Sequence, residues 1–286
     1  MRAGGGFFRS ARRRERAANL GASLVLLLGA VTMVMPFVWM VSTSLKSSEA
    51  AFEYPPRLVP QAPTLDSYLK AWRMAPFGRY FLNSSIVSIT VTVSQVFFCS
   101  LAAYVFAKHA FWGKRVLFTL VLAKLMIPFQ VVVVPLFAMV IRLKLADTLR
   151  GVILPDIMGA FGIFMLHQFV LGIPDELIDS ARIDACTGIG IYRRIVVPLI
   201  VPALSIFAII TFMDTWSEFL WPLIVINSPL KMTLPLGLAV FSDVYVQENN
   251  LKMAASLIVL LPVVVVFSIF QRRIIESIAS SGLKEG

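Results

Sequence analysis

Charge is scarce in this chain of 286 residues: only 15% are charged, against about 25% in an average soluble domain. Cysteine is nearly absent. Cys99 lies in an apolar stretch and Cys186 in a polar one, and two such residues cannot build a disulfide framework. Histidine is equally rare, with His109 in a turn and His167 near the end of an apolar stretch. No H-E-x-x-H and no paired C-x-x-C occurs, so no metal site is suggested. No G-x-x-x-x-G-K-[ST] occurs either, so the chain carries no phosphate-cradling loop. What is present is apolar: 58% of residues are hydrophobic and the mean hydropathy is +0.82. That composition excludes disorder, collagen and a disulfide scaffold, and indicates an integral membrane protein. The net charge of +10 would suggest nucleic acid on a soluble protein. Here it reads as the cationic flanks of membrane spans, and no nucleic-acid partner is expected.

A helix crossing the hydrocarbon core needs roughly 20 apolar residues. Six stretches qualify: 20–44, 81–107, 116–141, 151–171, 197–226 and 254–271. They are continuous rather than alternating with period two, which argues against a β-barrel. The predicted fold class is therefore an all-α integral membrane protein of six transmembrane helices. The first stretch follows Arg9, Arg12, Arg13, Arg14 and Arg16 and is too long for a signal-peptide core, so an uncleaved anchor is expected. With the N-terminus inside, cytoplasmic segments hold 15 Lys/Arg against 10 outside. The N-terminal tail carries the bias, which predicts both termini cytoplasmic. The expected organisation is a basic tail over 1–19, a six-span membrane domain over 20–272 with a special loop at 172–198, and a tail over 273–286.

The loop between spans one and two is proline-rich, with Pro55, Pro56, Pro60 and Pro63 ahead of a short amphipathic helix over Leu65–Trp72. It reads as a rigid spacer or as a docking surface for an external partner.

Residues 172–198, GIPDELIDSARIDACTGIGIYRRIVVP, are the longest expected cytoplasmic loop and do not look like one. Pro174 suits the start of a helix, and Asp175, Glu176 and Asp179 put acid at its positive end. Leu177, Ile178, Ala181 and Ala185 recur at helical spacing as an apolar stripe. Asp179 and Arg182 are spaced to pair. Thr187-Gly188 breaks the helix, and a second short one carries Tyr192, Arg193 and Arg194 into Pro198. One reading is an interfacial helix lying on lipid. The other is docking into a cationic cleft of a partner protein, since anionic headgroups repel an acidic face.

These residues resemble the cytoplasmic coupling loop of ABC-importer permeases, whose pattern runs E-A-A-x-x-D-G-A followed by an apolar run and L-P. The matching positions are Asp179, Ser180, Ala181, Arg182, Ile183, Asp184, Ala185 and Cys186, ending at Val197-Pro198. Asp179 stands where the pattern has Glu, and Ala185 where it has Gly. The likeness extends along the chain. Trp216-Ser217-Glu218-Phe219-Leu220-Trp221-Pro222 resembles the W-N-E-F-x-W-P signature of sugar-uptake permeases. Asn83-Ser84, Met126-Ile127-Pro128 with Gln130, Leu234-Pro235-Leu236-Gly237, Met253-Ala254-Ala255-Ser256, Phe270-Gln271-Arg272-Arg273 and Leu283-Lys284-Glu285-Gly286 also fit. The chain is similar to the second, smaller, six-span permease of maltose-type importers. That resemblance implies a non-enzymatic subunit of the prokaryotic cell membrane, importing a sugar or sugar-like solute. It implies a homologous second permease, two ATPase subunits, an extracytoplasmic solute-binding protein and membrane lipid as partners. ATP and Mg would be used by the ATPase subunits, with no cofactor on this chain. Glu176, Asp179, Ala181, Arg182, Asp184 and Ala185 would then transmit ATPase closure to the spans.

Several intramembrane residues are candidates for a solute pathway. Asp214 and Glu218 are one helical turn apart; they read as helix packing or as the mouth of a polar pathway, rather than as a glycosidase pair. Trp216 and Trp221 could stack on sugar rings or form an interfacial belt. Lys124 lies inside the third span, where a lysine costs roughly 2.5–3.5 kcal/mol, so it should face the protein interior or snorkel. Gln130 completes the set. The different-class alternative is an ion-coupled secondary transporter, which would show inverted repeats and leave the acidic loop unexplained.

Overall fold

The structure is a computed structural model that describes residues 5–245 and 247–282, with side chains from 19 to 269 apart from 246. The tail arginines Arg9 to Arg16, the Phe270–Arg273 side chains and Leu283–Gly286 thus lie outside the described residues or side chains. Among the described residues every regular element is helical. In order they are α1 (Gly5–Ser44), α2 (Asp66–Met74), α3 (Phe77–Lys108), α4 (Lys114–Met126), α5 (Phe129–Arg142), α6 (Leu149–Ile153), α7 (Ala160–Leu171), α8 (Asp175–Ile183), α9 (Gly188–Ile191), α10 (Val197–Ser217), α11 (Leu220–Val225), α12 (Leu234–Val244) and α13 (Asn249–Gly282). Among the described residues five helical stretches are long and apolar enough to span a membrane, or six if α4 and α5 count as one bent span.

Two compact units are distinguished. The first holds the chain through Ala71 with Tyr245–Leu257. Its proline-rich loop is tied down by Lys46, which is buried, donates to the Arg57 carbonyl and sits 5.1 Å from the Trp39 ring. Asn250, also buried, donates to Ser67 Oγ at 3.0 Å and to the Lys46 carbonyl at 3.3 Å. Buried polar groups must be paired, and here the pairing staples the loop to the start of α13.

The second unit holds Trp72–Val244 and the remainder of α13. Its core joins α3, α7, α8 and α10 through Cys99, Leu166, Val170, Ile178, Val196 and Phe207. Gly162 lets α7 approach α10 closely: a Cβ there would fall 2.2 Å from Phe207 Cζ. Asn83 donates to the carbonyls of Leu230 and Met232 at 3.0 and 2.9 Å, and Ser84 Oγ accepts from Leu234 N at 2.8 Å. The Asn-Ser pair thereby clamps the 230–234 turn against α3.

Three boundaries differ from those read in the sequence. The third span is a broken one. α4 and α5 meet at 108°, because Pro128 pushes Ile127 into an extended conformation (φ −92°, ψ 115°) and interrupts the helix. The fourth, Leu149–Leu171, is interrupted between Ile153 and Ala160. The fifth begins earlier and ends earlier than 197–226: helix runs from Gly188 to Ser217, and α11 follows a break at Glu218. Inside that run, Tyr192–Val196 form a π-helical turn between α9 and α10. His167 is buried against Phe118, ring centroids 4.4 Å apart.

Candidate functional site

The first half of the 172–198 segment folds as its sequence suggests, while the expected second short helix is continuous with the fifth span. Pro174 precedes α8, and Asp175 and Glu176 occupy its first turn, where the helix dipole favours acid. Thr187 caps α9 by accepting from Gly190 N at 3.1 Å. Asp179 and Arg182 pair at 2.9 Å. The apolar stripe divides: Ile178 and Ala181 are buried in the chain's own core beside Tyr192 and Val170, while Leu177 and Ala185 are exposed. Ala181 therefore seats the helix and presents nothing to a partner. The outward surface consists of Glu176, Asp179, Arg182, Asp184 and Ala185, with Leu177 and Ile183 also exposed.

Two contacts absent from the sequence reading fasten α8 to the end of α3. The Lys108 ammonium, its side chain only 5% exposed, donates to Asp175 Oδ1 at 2.6 Å and to the Ile173 carbonyl at 2.5 Å. That ammonium holds the Asp175 carboxyl below the usual carboxylate range. Arg182 donates to the Lys108 carbonyl at 3.4 Å. A buried tyrosine–serine bond, Tyr192 to Ser100 at 2.7 Å, ties the π-helical turn to the same helix. α8 is thus fastened to α3 by an ion pair and hydrogen bonds, and it shares one packed core with α7 and α10.

α8 also ends with a specific cap. Cys186 N donates to the Ala181 carbonyl at 2.9 Å and Ala185 N to that of Arg182 at 3.0 Å. These are the two bonds of a Schellman motif, which places the residue after the cap in the left-handed region. That residue is Ala185, φ +55°.

At the other half of this unit, away from α8, a cavity of ≈ 330 Å³ opens between α3, α4, α7 and α10. Lys124, Asp214, Glu218 and Trp221, four of the six pathway candidates, line it together. So do Gln95, Thr233 and Asp156. Glu218 Oε1 accepts from Trp221 N at 3.1 Å and caps α11, while Trp221 Nε1 donates to the Val152 carbonyl at 3.2 Å. Gln95 donates to the Asp156 carbonyl at 2.7 Å. Gln130 and Trp216 are not on the cavity wall. Gln130 is exposed on α5, and Trp216 is buried between Phe212 and Phe81, at 5.5 and 5.6 Å.

A further junction escaped sequence reading. Asp147, φ +55°, accepts from Ser228 N at 2.8 Å, Ser228 Oγ at 2.5 Å, Asn227 N at 3.0 Å and Lys231 Nζ at 2.8 Å. These donors, Lys231 foremost, hold its carboxyl well below the usual range. Its one sequence signal is an Asp in a short loop.

The fold is that of an importer membrane subunit. One solved chain, from the crystal structure of a bacterial ABC transporter involved in the import of the acidic polysaccharide alginate, superposes with a TM-score of 0.82. The match covers 91% of this chain and 97% of the other at 19% identity. Residues 95–280 match the family described as binding-protein-dependent transport system inner membrane component, and the chain belongs to that family. It is 38% identical over 226 residues to the arabinooligosaccharides transport system permease of Halalkalibacterium halodurans, covering 79% of this chain and 81% of the relative. It is 30% identical over 267 residues to the sulfoquinovosyl glycerol transport system permease of Agrobacterium fabrum, covering 93% and 92%. The chain is thus a membrane-embedded transport component and not an enzyme.

Proposed function

We propose that this chain is the permease subunit of a binding-protein-dependent ABC importer for a carbohydrate or carbohydrate-like solute. A second, homologous permease completes the membrane portion, two ATPase subunits bind ATP and Mg, and an extracytoplasmic protein delivers the solute. Both termini and the 172–198 segment face the cytoplasm. Glu176, Asp179, Arg182, Asp184 and Ala185 form the surface offered to an ATPase subunit, with Ala181 buried behind them. Lys124, Asp156, Asp214, Glu218 and Trp221 line the solute path.

The observation that carries this reading is the anchoring of an acidic, outward-facing α8 to α3 through Lys108 and Arg182, with Ile178 and Ala181 seated in the core that α10 shares. An acidic helix lying on anionic lipid has no need of a buried lysine bolting it to the spans; a helix that must transmit force does. The ion-coupled alternative leaves that arrangement without a role.

The test is uptake by proteoliposomes containing the assembled importer. Labelled oligosaccharide should accumulate only with binding protein outside and ATP inside. Accumulation driven by an ion gradient without ATP would overturn the proposal.

A further inference from the structure

The cavity is unevenly charged. Asp156, Asp214 and Glu218 line it against a single cation, Lys124, and every other lining residue is uncharged. None of the ion pairs among the described residues involves these carboxylates. Glu218 accepts one backbone N–H, and the Gln95 amide reaches the backbone of Asp156 rather than its carboxylate. Asp214 has no hydrogen-bond partner among the described residues. Ionised carboxylates only accept hydrogen bonds, and those of Asp156 and Asp214 find no donor among the described residues. Nor do they converge on an ion: among the described residues no group of three His, Cys, Asp or Glu is placed to hold a metal.

A second, independent observation marks the same wall. Thr233, 4% exposed and lining the cavity, has a buried hydroxyl without a partner among the described residues. Buried polar atoms are ordinarily satisfied, and an orphan on a cavity wall points to an occupant that supplies the missing bond. Saccharide hydroxyls both donate and accept, which meets the needs of Thr233 and of the carboxylates.

We propose that this cavity selects by charge: it admits neutral or amine-bearing carbohydrates and disfavours those carrying a carboxylate, phosphate or sulfonate. The proposal rests on the carbohydrate reading above and narrows it. An entering anion meets more negative than positive charge in surroundings where water screens poorly, whereas an ammonium group gains three acceptors. The relatives divide on this property. Arabinooligosaccharides are neutral, while alginate is acidic and sulfoquinovosyl glycerol carries a sulfonate. The cavity assigns this chain to the neutral side.

The test uses the importer assembled with its partner permease and ATPase subunits in nanodiscs, without binding protein, so that receptor selectivity does not enter. Probes are cellobiose, its diamine analogue chitobiose, and the corresponding disaccharide with glucuronate replacing one glucose, titrated just below neutral pH. The acid should bind about tenfold or more weakly than cellobiose, with the diamine at least as tight as cellobiose. Asp156→Asn with Asp214→Asn, isosteric and uncharged, should bring the acid to within about threefold of cellobiose, the ratio of the two being the readout whatever happens to cellobiose itself. Lys124→Gln should widen the gap instead. Equal binding of the acid and cellobiose, or a gap unmoved by all these substitutions, would overturn charge selection while leaving the carbohydrate reading standing. Absence of binding by all three probes would overturn the carbohydrate reading, and this proposal with it.

Discussion

Replacing Ala185 by glycine should tighten the end of α8. Ala185 sits at φ +55°, where a Cβ costs about 1–2 kcal/mol. Glycine removes that cost but gives the unfolded segment more freedom, worth about 0.4–1 kcal/mol in the opposite direction. Ala185 is exposed, so deleting its methyl group opens no cavity. The balance is a gain of about 0.5–1 kcal/mol in the closed form of the cap, or up to about fivefold in its opening equilibrium. Hydrogen exchange reads this directly, because the amides of Cys186 and Ala185 close the motif. In the assembled importer both should exchange up to about fivefold more slowly in Ala185→Gly, and faster in Ala185→Val, whose branched side chain tolerates positive φ worse still. Amides of α3 serve as the internal reference. Equal protection in all three proteins would refute the reasoning, since the left-handed conformation could then not be limiting the cap.

Asp179→Ala and Asp184→Ala should each insert and pair with the partner permease normally but weaken ATPase association about tenfold, measured by pull-down or loss of binding-protein-stimulated hydrolysis, since charge-assisted bonds contribute about 1.5–3 kcal/mol; wild-type transport by both would return α8 to the lipid surface. Lys108→Met should leave the Ile173 carbonyl without this donor and loosen α8, raising hydrogen exchange across Asp175–Ile183 more than across α3. Asp147→Ala should lower stability by about 1.5–3 kcal/mol in thermal unfolding. The pH dependence has a definite sign: the Asp147 carboxyl is held below its ordinary value, so its contribution is complete above about pH 4 and is lost only as pH falls through the lowered folded value. Thermal scans in wild type and Asp147→Ala should therefore converge only in strong acid. Gly162→Ala should cost about 1–3 kcal/mol by forcing α7 from Phe207, and Gly162→Ser should be no milder.

Much of the architecture could be read from local chemistry. Pro174, the acids of the first turn and Thr187 mark α8 and α9 because capping depends on neighbours in the chain. The broken span was half legible: Pro128 was visible, but a kink and a 108° turn differ only in what packs against the two arms. Which residues of the α8 stripe enter the chain's own core was not legible, because helical periodicity tells which residues share a face and not whose core they enter. Asp156 was missed on the cavity wall, being a lone acid in a Leu-Pro-Asp turn. Lys108 with Asp175, Asp147 with Lys231 and Asn250 with Ser67 lie too far apart in sequence for any local pattern to join them. Trp216 and Trp221 belong to one motif, yet one enters an aromatic cluster and the other lines the cavity, a division that depends on the break at Glu218.

The π-helical turn at Tyr192–Val196 sets rotational phase. Successive residues of an α-helix are about 100° apart around its axis, and a π turn absorbs a residue that an ordinary turn does not hold. Everything from Val197 onward inherits that offset, including Phe207 in the core and Asp214 on the cavity wall. Deleting one residue within 192–196 lets ordinary winding run through while both flanking faces keep their bearings. The same deletion a turn later swings Asp214 by about 100° away from the cavity. Length variation in this helix is therefore confined to a five-residue window, the one place where a codon can be lost without re-aiming the pathway.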